Sequence, residues 1–94
     1  MTAVGLLTLE LQIRHAQSLK DKRQVIRGLK DRIRSRFNAA VAEVDHQDSW
    51  QRATIAVATV SGDRAYAEET LRKIEEEAAR VLGADLVSAE MEFL

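Results

Sequence analysis

Leu7, Leu9, Leu11 and Ile13 alternate with Thr8, Glu10, Gln12 and Arg14. A period of two puts the apolar set on one face of a strand over residues 3–14. The period then changes. Leu19, Ile26, Leu29, Ile33 and Phe37 recur at helical spacing and predict an amphipathic helix over residues 18–37. Ser18 stands where an N-cap belongs, with Asp21 three residues on as the acid of a weak capping box. Asn38 can take the left-handed conformation that ends such a helix. Residues 39–46 predict a weaker strand, with Ala40, Ala42 and Val44 inward and Val41, Glu43 and Asp45 outward. After a turn over residues 47–51, the β-branched run 52–61 predicts a third strand with Ala53, Ile55 and Val57 inward. Asp63 can cap a second helix over residues 64–82, whose stripe is Ala67, Leu71, Ile74, Ala78, Val81 and Leu82. Gly83 is its stop. Residues 85–94 close the chain as a fourth strand.

The order βαββαβ is the split-βαβ plan. It predicts one α+β, ferredoxin-like domain: a four-stranded antiparallel sheet of order 4-1-3-2, with both helices on one face. Right-handed crossovers place the first helix toward strand 2 and the second toward strand 4.

Ninety-four residues suffice for one domain with a modest core. Cysteine is absent, which removes disulfides, thiol nucleophiles and thiolate metal sites. No apolar run is long enough to span a bilayer and the start has no secretory pattern, so a cytoplasmic protein without a membrane partner is expected.

The net charge of −1 conceals a strong asymmetry. Residues 14–36 hold nine Lys/Arg against two Asp, a balance of +7, and the remainder holds five against thirteen, a balance of −8. Lys20, Arg23, Arg27, Lys30 and Arg34 follow one another at steps of three and four, on one flank of the first helix, for roughly 21 Å. Lys22, Arg32 and Arg36 fall on the opposite flank, which with Val25 should face the second helix near Tyr66 and Glu77. The five-cation flank is either an ordinary solvated face, relieved by Asp21 and Asp31, or a surface for a polyanion. Like charges at this spacing slightly destabilise a helix, which calls for a reason beyond folding. With Arg14, the five are the candidate nucleic-acid-binding residues. Gly28 belongs on the solvent side of the same helix.

In this plan the first loop and the strand 2–3 hairpin share one end of the domain. Ser18, His46, Trp50 and Arg52 are therefore candidates for an anion or loop site at the helix start, close to Lys20 and Lys22. A plain capped helix start is the competing reading. Trp50 either covers the end of the core or stands out as a platform for a base or a partner side chain. His46, Asp45, Asp48 and Ser49 are neighbours in a turn and do not converge as a triad needs. Nor do two histidines and scattered acids make a metal set. No catalytic residue and no cofactor is assigned; a small phosphate-handling enzyme is the weakest of three readings. The open sheet face should carry Glu10, Glu43, Asp45, Glu90 and Glu92 beside Leu6, Val41, Ala56 and Val60. It lacks the stacking aromatics of RNA-recognition sheets, and is the surface on which a homodimer or a protein partner would form.

Three stretches carry a resemblance: GLLTLEL, QSLKDKRQVIRGLKDRIRSRFN and AEVDHQDSWQRATIAVATVS. Together they resemble the small bacterial YlxP-like family of unknown function over nearly the whole chain. The resemblance implies a ferredoxin-like fold. Genes of the family tend to lie among those for translation initiation and ribosome maturation factors, which implies an RNA- or ribosome-associated role. It assigns no activity and no site residues.

Overall fold

In the computed structural model, which describes residues 1–94, strict alternation makes β1 (Ala3–Gln12) a central strand with one buried face. It is followed by α1 (Leu19–Arg36), β2 (Ala40–Asp45), β3 (Arg52–Ser61), α2 (Arg64–Leu82), a 3-10 turn at Gly83–Asp85, and β4 (Leu86–Phe93). The sheet is antiparallel in the order β2-β3-β1-β4, the predicted 4-1-3-2 read from the other edge. Leu7, Leu9, Leu11 and Ile13 meet Ile55 and Val57 of β3 and the stripes of both helices in one core. Helix α1 packs over β2; α2 packs over β1, β3 and β4. No helix is long and apolar enough to cross a membrane.

The helix ends follow from their caps. Ser18 Oγ accepts from Asp21 N at 3.1 Å, and Asp21 Oδ2 accepts from Gln17 N at 3.0 Å. Asp63 Oδ1 accepts from Ala65 N, and Gly83 closes α2 with φ of 56°. Asn38 does not take the left-handed conformation expected of it. Instead α1 stops at an extended Phe37, whose side chain packs against the core. The Asn38 carbonyl then accepts from Thr59 Oγ1 at 2.9 Å, which ties the helix exit to β3.

Strand β2 faces the other way from its sequence expectation. Val41 is buried, while Ala40, Ala42 and Val44 are exposed. The registers Val41↔Val57 and Glu43↔Ile55 place Val41 and Glu43 on the helix side of the sheet. Small alanines on alternate positions gave a hydropathy signal too weak to fix the facing; one valine against the core outweighs them. A bulge between Glu43 and Asp45 then returns Asp45 to the open face opposite Thr54. That face keeps Glu10, Asp45, Glu90 and Glu92, and loses Glu43 and Val41.

Space is tight at one strand glycine. A Cβ on Gly5 would stand 2.8 Å from Leu71 Cδ1 and 3.0 Å from the Phe93 ring, so its absence lets α2 close on β1.

Candidate functional site

The core slots of α1 run Leu19, Lys22, Ile26, Leu29, Ile33. The candidate cations Lys20, Arg23, Arg27, Lys30 and Arg34 each follow a slot by one residue. They consequently sit about 100° around the cylinder from the core stripe, at its edge over β2. Arg23, Arg27, Lys30 and Arg34 border one shallow groove with Ile26, Asp31 and Glu43. None of the five is in an ion pair. Arg34 Nη2 donates to the Val41 carbonyl at 3.1 Å and pins the edge strand. Arg14 reaches only the Ala84 carbonyl, at 3.5 Å.

The other three cations of α1 are all engaged. Arg32 Nη1 lies 2.9 Å from Glu77 Oε2 and Arg36 Nη1 3.2 Å from Oε1, with Arg80 on the same carboxylate. Glu77 is buried, and this node holds the flank that faces α2, as its helical phase predicts. The Arg32 hydrogen bond is the largest cause holding its carboxyl below the ordinary value of 4.5. Burial opposes it, and Arg80 and Arg36 reinforce it. On α2 the i,i+4 pairs Glu68–Arg72 and Glu69–Lys73 form, while Arg80 turns to Glu77 rather than to Glu76 four residues before it.

Lys22 corrects the sequence reading. It is not on the α2 flank and does not face solvent near the helix start. At 1% exposure it is among the most buried side chains in the protein. Its ammonium donates to the His46 carbonyl at 2.6 Å and the Ser49 carbonyl at 2.8 Å. Glu43 Oε2 lies 2.8 Å away, buried and off the hydrogen-bonding direction, so that contact is mainly charge attraction. Two of its three N–H donors thus meet backbone carbonyls, with the carboxylate close beside them. The signal was present in the spacing: position 22 completes the 3-4-3-4 series of core slots.

The shared end of the domain forms as expected. Gln51 Nε2 donates to the Arg14 and Ala16 carbonyls at 3.0 and 3.1 Å, and Ile13 N donates to the Gln51 carbonyl at 2.6 Å. Sequence reasoning did not single out Gln51, since a glutamine in a turn carries no pattern. Ser18 is committed to capping, and the Asp21 carboxylate accepts from Gln17 N, just before the cap. His46 adopts φ of 63°; its carbonyl is held by Lys22 and its N–H by Asp45 Oδ1. Trp50 does not cover the core: it is 56% exposed. Arg52 is exposed and pairs with no acid. No group of three His, Asp or Glu residues is placed to hold a metal ion.

A family described as "Protein of unknown function (DUF503)" matches residues 4–91. The chain belongs to that family. It is similar to the uncharacterized protein YlxP of Bacillus subtilis (strain 168), 35% identical over 71 residues, which is 76% of this chain and 77% of that one. Among solved structures it is similar to the de novo designed protein Foldit4, with TM-score 0.63 and 13% identity over all of this chain and 97% of that one. A de novo ferredoxin-fold design, LFR1 1, gives TM-score 0.55 at 13% identity, covering this chain fully and 84% of its own. A C-terminal segment of the alpha subunit of aIF2 from Pyrococcus abyssi gives TM-score 0.56 at 20% identity, covering 99% of this chain and 49% of that one. At these identities the structural likenesses establish the fold alone.

Proposed function

We propose that this protein is a binding module for structured RNA, ribosomal RNA included, and that the β2-side flank of α1 is its contact surface. One observation carries the reading. Every α1 cation on the core or α2 side has a carboxylate partner, and the five on the remaining flank have none. A folded chain with thirteen acids outside the basic segment has carboxylates to spare, so this segregation favours an external anion over internal pairing. Phosphates spaced along a nucleic-acid backbone match a row of cations better than a single small anion does. Recognition would rest on backbone shape, since the flank offers no aromatic and few amide side chains for base edges. Co-sedimentation of the protein with ribosomes or structured rRNA fragments tests the reading. Loss of binding on the double change Arg23→Glu/Arg27→Glu supports it, and unchanged binding defeats it.

A second reading is a homodimer or protein contact through the open sheet face. Val60 and Val87 there are more than half exposed beside Leu6, Ala56 and Ala58. Sedimentation of the free protein over a concentration series separates the two: a tight dimer without RNA affinity favours the second.

A further inference from the structure

Trp50 combines an exposed ring with an unusually fixed backbone. The residue before it is held three ways. The Ser49 carbonyl accepts from Lys22 Nζ at 2.8 Å, Ser49 N donates to the His46 carbonyl at 3.0 Å, and Ser49 Oγ accepts from Arg52 N at 3.1 Å. The residue after it is held as firmly, because Gln51 accepts from Ile13 N and donates to the Arg14 and Ala16 carbonyls. The turn therefore cannot carry the indole inward, and the ring stays more than half in water. The indole offers a large flat apolar face with a polar edge, the kind of side chain that suits a contact surface.

The surroundings say what the ring would meet. Arg14 and Arg52 belong to the same end of the domain, and neither pairs with an acid. Lys22, bonded to the residue next to Trp50, is bracketed on α1 by Lys20 and Arg23, where the unpaired flank begins. An exposed aromatic at a domain end that also holds unpaired cations suits stacking of a base while its phosphates are neutralised. The other exposed aromatic, Tyr66, lines a cleft with Arg36, Phe37 and Glu69, away from the unpaired flank.

We propose that Trp50 is a stacking platform for one unpaired RNA base, lying next to the helical segment whose backbone follows α1. The inference rests on the RNA reading above and names the RNA feature that reading leaves open: a paired stem bordered by a bulged, looped or overhanging nucleotide. Trp50 is the sole tryptophan, so its emission reports contact directly.

The test uses the full chain and two RNA probes, a blunt duplex and the same duplex with one bulged nucleotide. The bulged RNA is expected to quench Trp50 emission and to bind about tenfold more tightly than the blunt one, the scale of one stacked base. Trp50→Ala should abolish that preference while leaving affinity for the blunt duplex and the circular dichroism spectrum unchanged. Trp50→Phe should keep part of the preference, and Tyr66→Ala all of it. Equal affinities with unquenched emission, in a protein that binds both RNAs, overturn the stacking role alone. Failure to bind either RNA at low salt overturns the RNA reading as well.

Discussion

Lys22 Nζ stands 2.8 Å from Glu43 Oε2 beneath the β2–β3 hairpin, a charge pair that joins the first helix to the edge strand. Lys22 is 1% exposed and Glu43 is largely covered. Removing either partner strands the other's charge where water reaches it poorly. Lys22→Met should therefore destabilise the fold by about 2–4 kcal/mol, the upper part reflecting two backbone carbonyls that also lose their donor. Glu43→Gln should cost less, since the ammonium keeps the His46 and Ser49 carbonyls. Chemical denaturation of both variants measures this. The double variant should recover part of the Lys22→Met loss, because no charge is then left alone. Additive losses would show that the pair does not couple.

The fold was legible because its elements announce themselves by period: two in β1, 3.6 in α1 and α2, with caps at Ser18, Asp63 and Gly83. What failed was facing and pairing. In β2, alternating alanines and valines differ too little in hydrophobicity to choose a side, and the choice moved Val41 and Glu43 together. Lys22 was misplaced because a lysine in a core slot reads as a surface residue unless its oxygens are known, and those oxygens are backbone carbonyls of a distant turn. The five-cation flank was legible from spacing alone. That its neighbours would be paired while it was not depended on where Glu43 and Glu77 fell, which only the packing decides.

Glu77 ties the acid response to the helix pair. Its carboxyl titrates below the ordinary value of 4.5, chiefly through the Arg32 hydrogen bond. A depressed folded-state value means stability that is present above 4.5 and lost as pH falls through the lower folded value. Glu77→Gln should thus lower the melting temperature at neutral pH. The gap between variant and parent should close as acidification takes the pH below 4.5 and on through the parent's lowered folded value, where its carboxyl is protonated too. A gap that stays constant with pH would mean the arginines contribute packing and not charge.

The unpaired flank makes opposite predictions for stability and for binding. Lys20, Arg23, Arg27, Lys30 and Arg34 repel one another at i,i+3 and i,i+4, and none has an acid to lose. Neutralising Arg23 and Arg27 to Gln should leave the melting temperature unchanged or raise it, by about 0.2–0.5 kcal/mol for each like-charge pair relieved. RNA affinity should fall nonetheless. With all five contacts formed, the logarithm of affinity should drop against the logarithm of salt with a slope of about −3.5 to −4.5, and the double neutralisation should reduce that slope by about 1.4–1.8. A slope near zero in the parent would remove phosphate contacts from the account. Arg34 is a poorer choice for this experiment because its guanidinium also holds the Val41 carbonyl.

His46 separates a backbone role from a side-chain role at the hairpin. Its φ of 63° is strained for a residue with a Cβ, and Lys22 is bonded to its carbonyl, not to its ring. Glycine would relieve about 1–2 kcal/mol of left-handed strain but give back about 0.5–1 kcal/mol in unfolded-chain freedom. His46→Gly should accordingly lie between neutral and about 1.5 kcal/mol stabilising in denaturation, while His46→Val, branched at the same φ, should destabilise by about 1–2 kcal/mol. RNA binding by the glycine variant then decides what the imidazole does. Affinity equal to the parent's assigns His46 to turn geometry alone, with the ring dispensable. A loss of affinity that His46→Asn, which tolerates the same φ, also shows would place the His46 ring beside Trp50 and Arg52 on the contact surface.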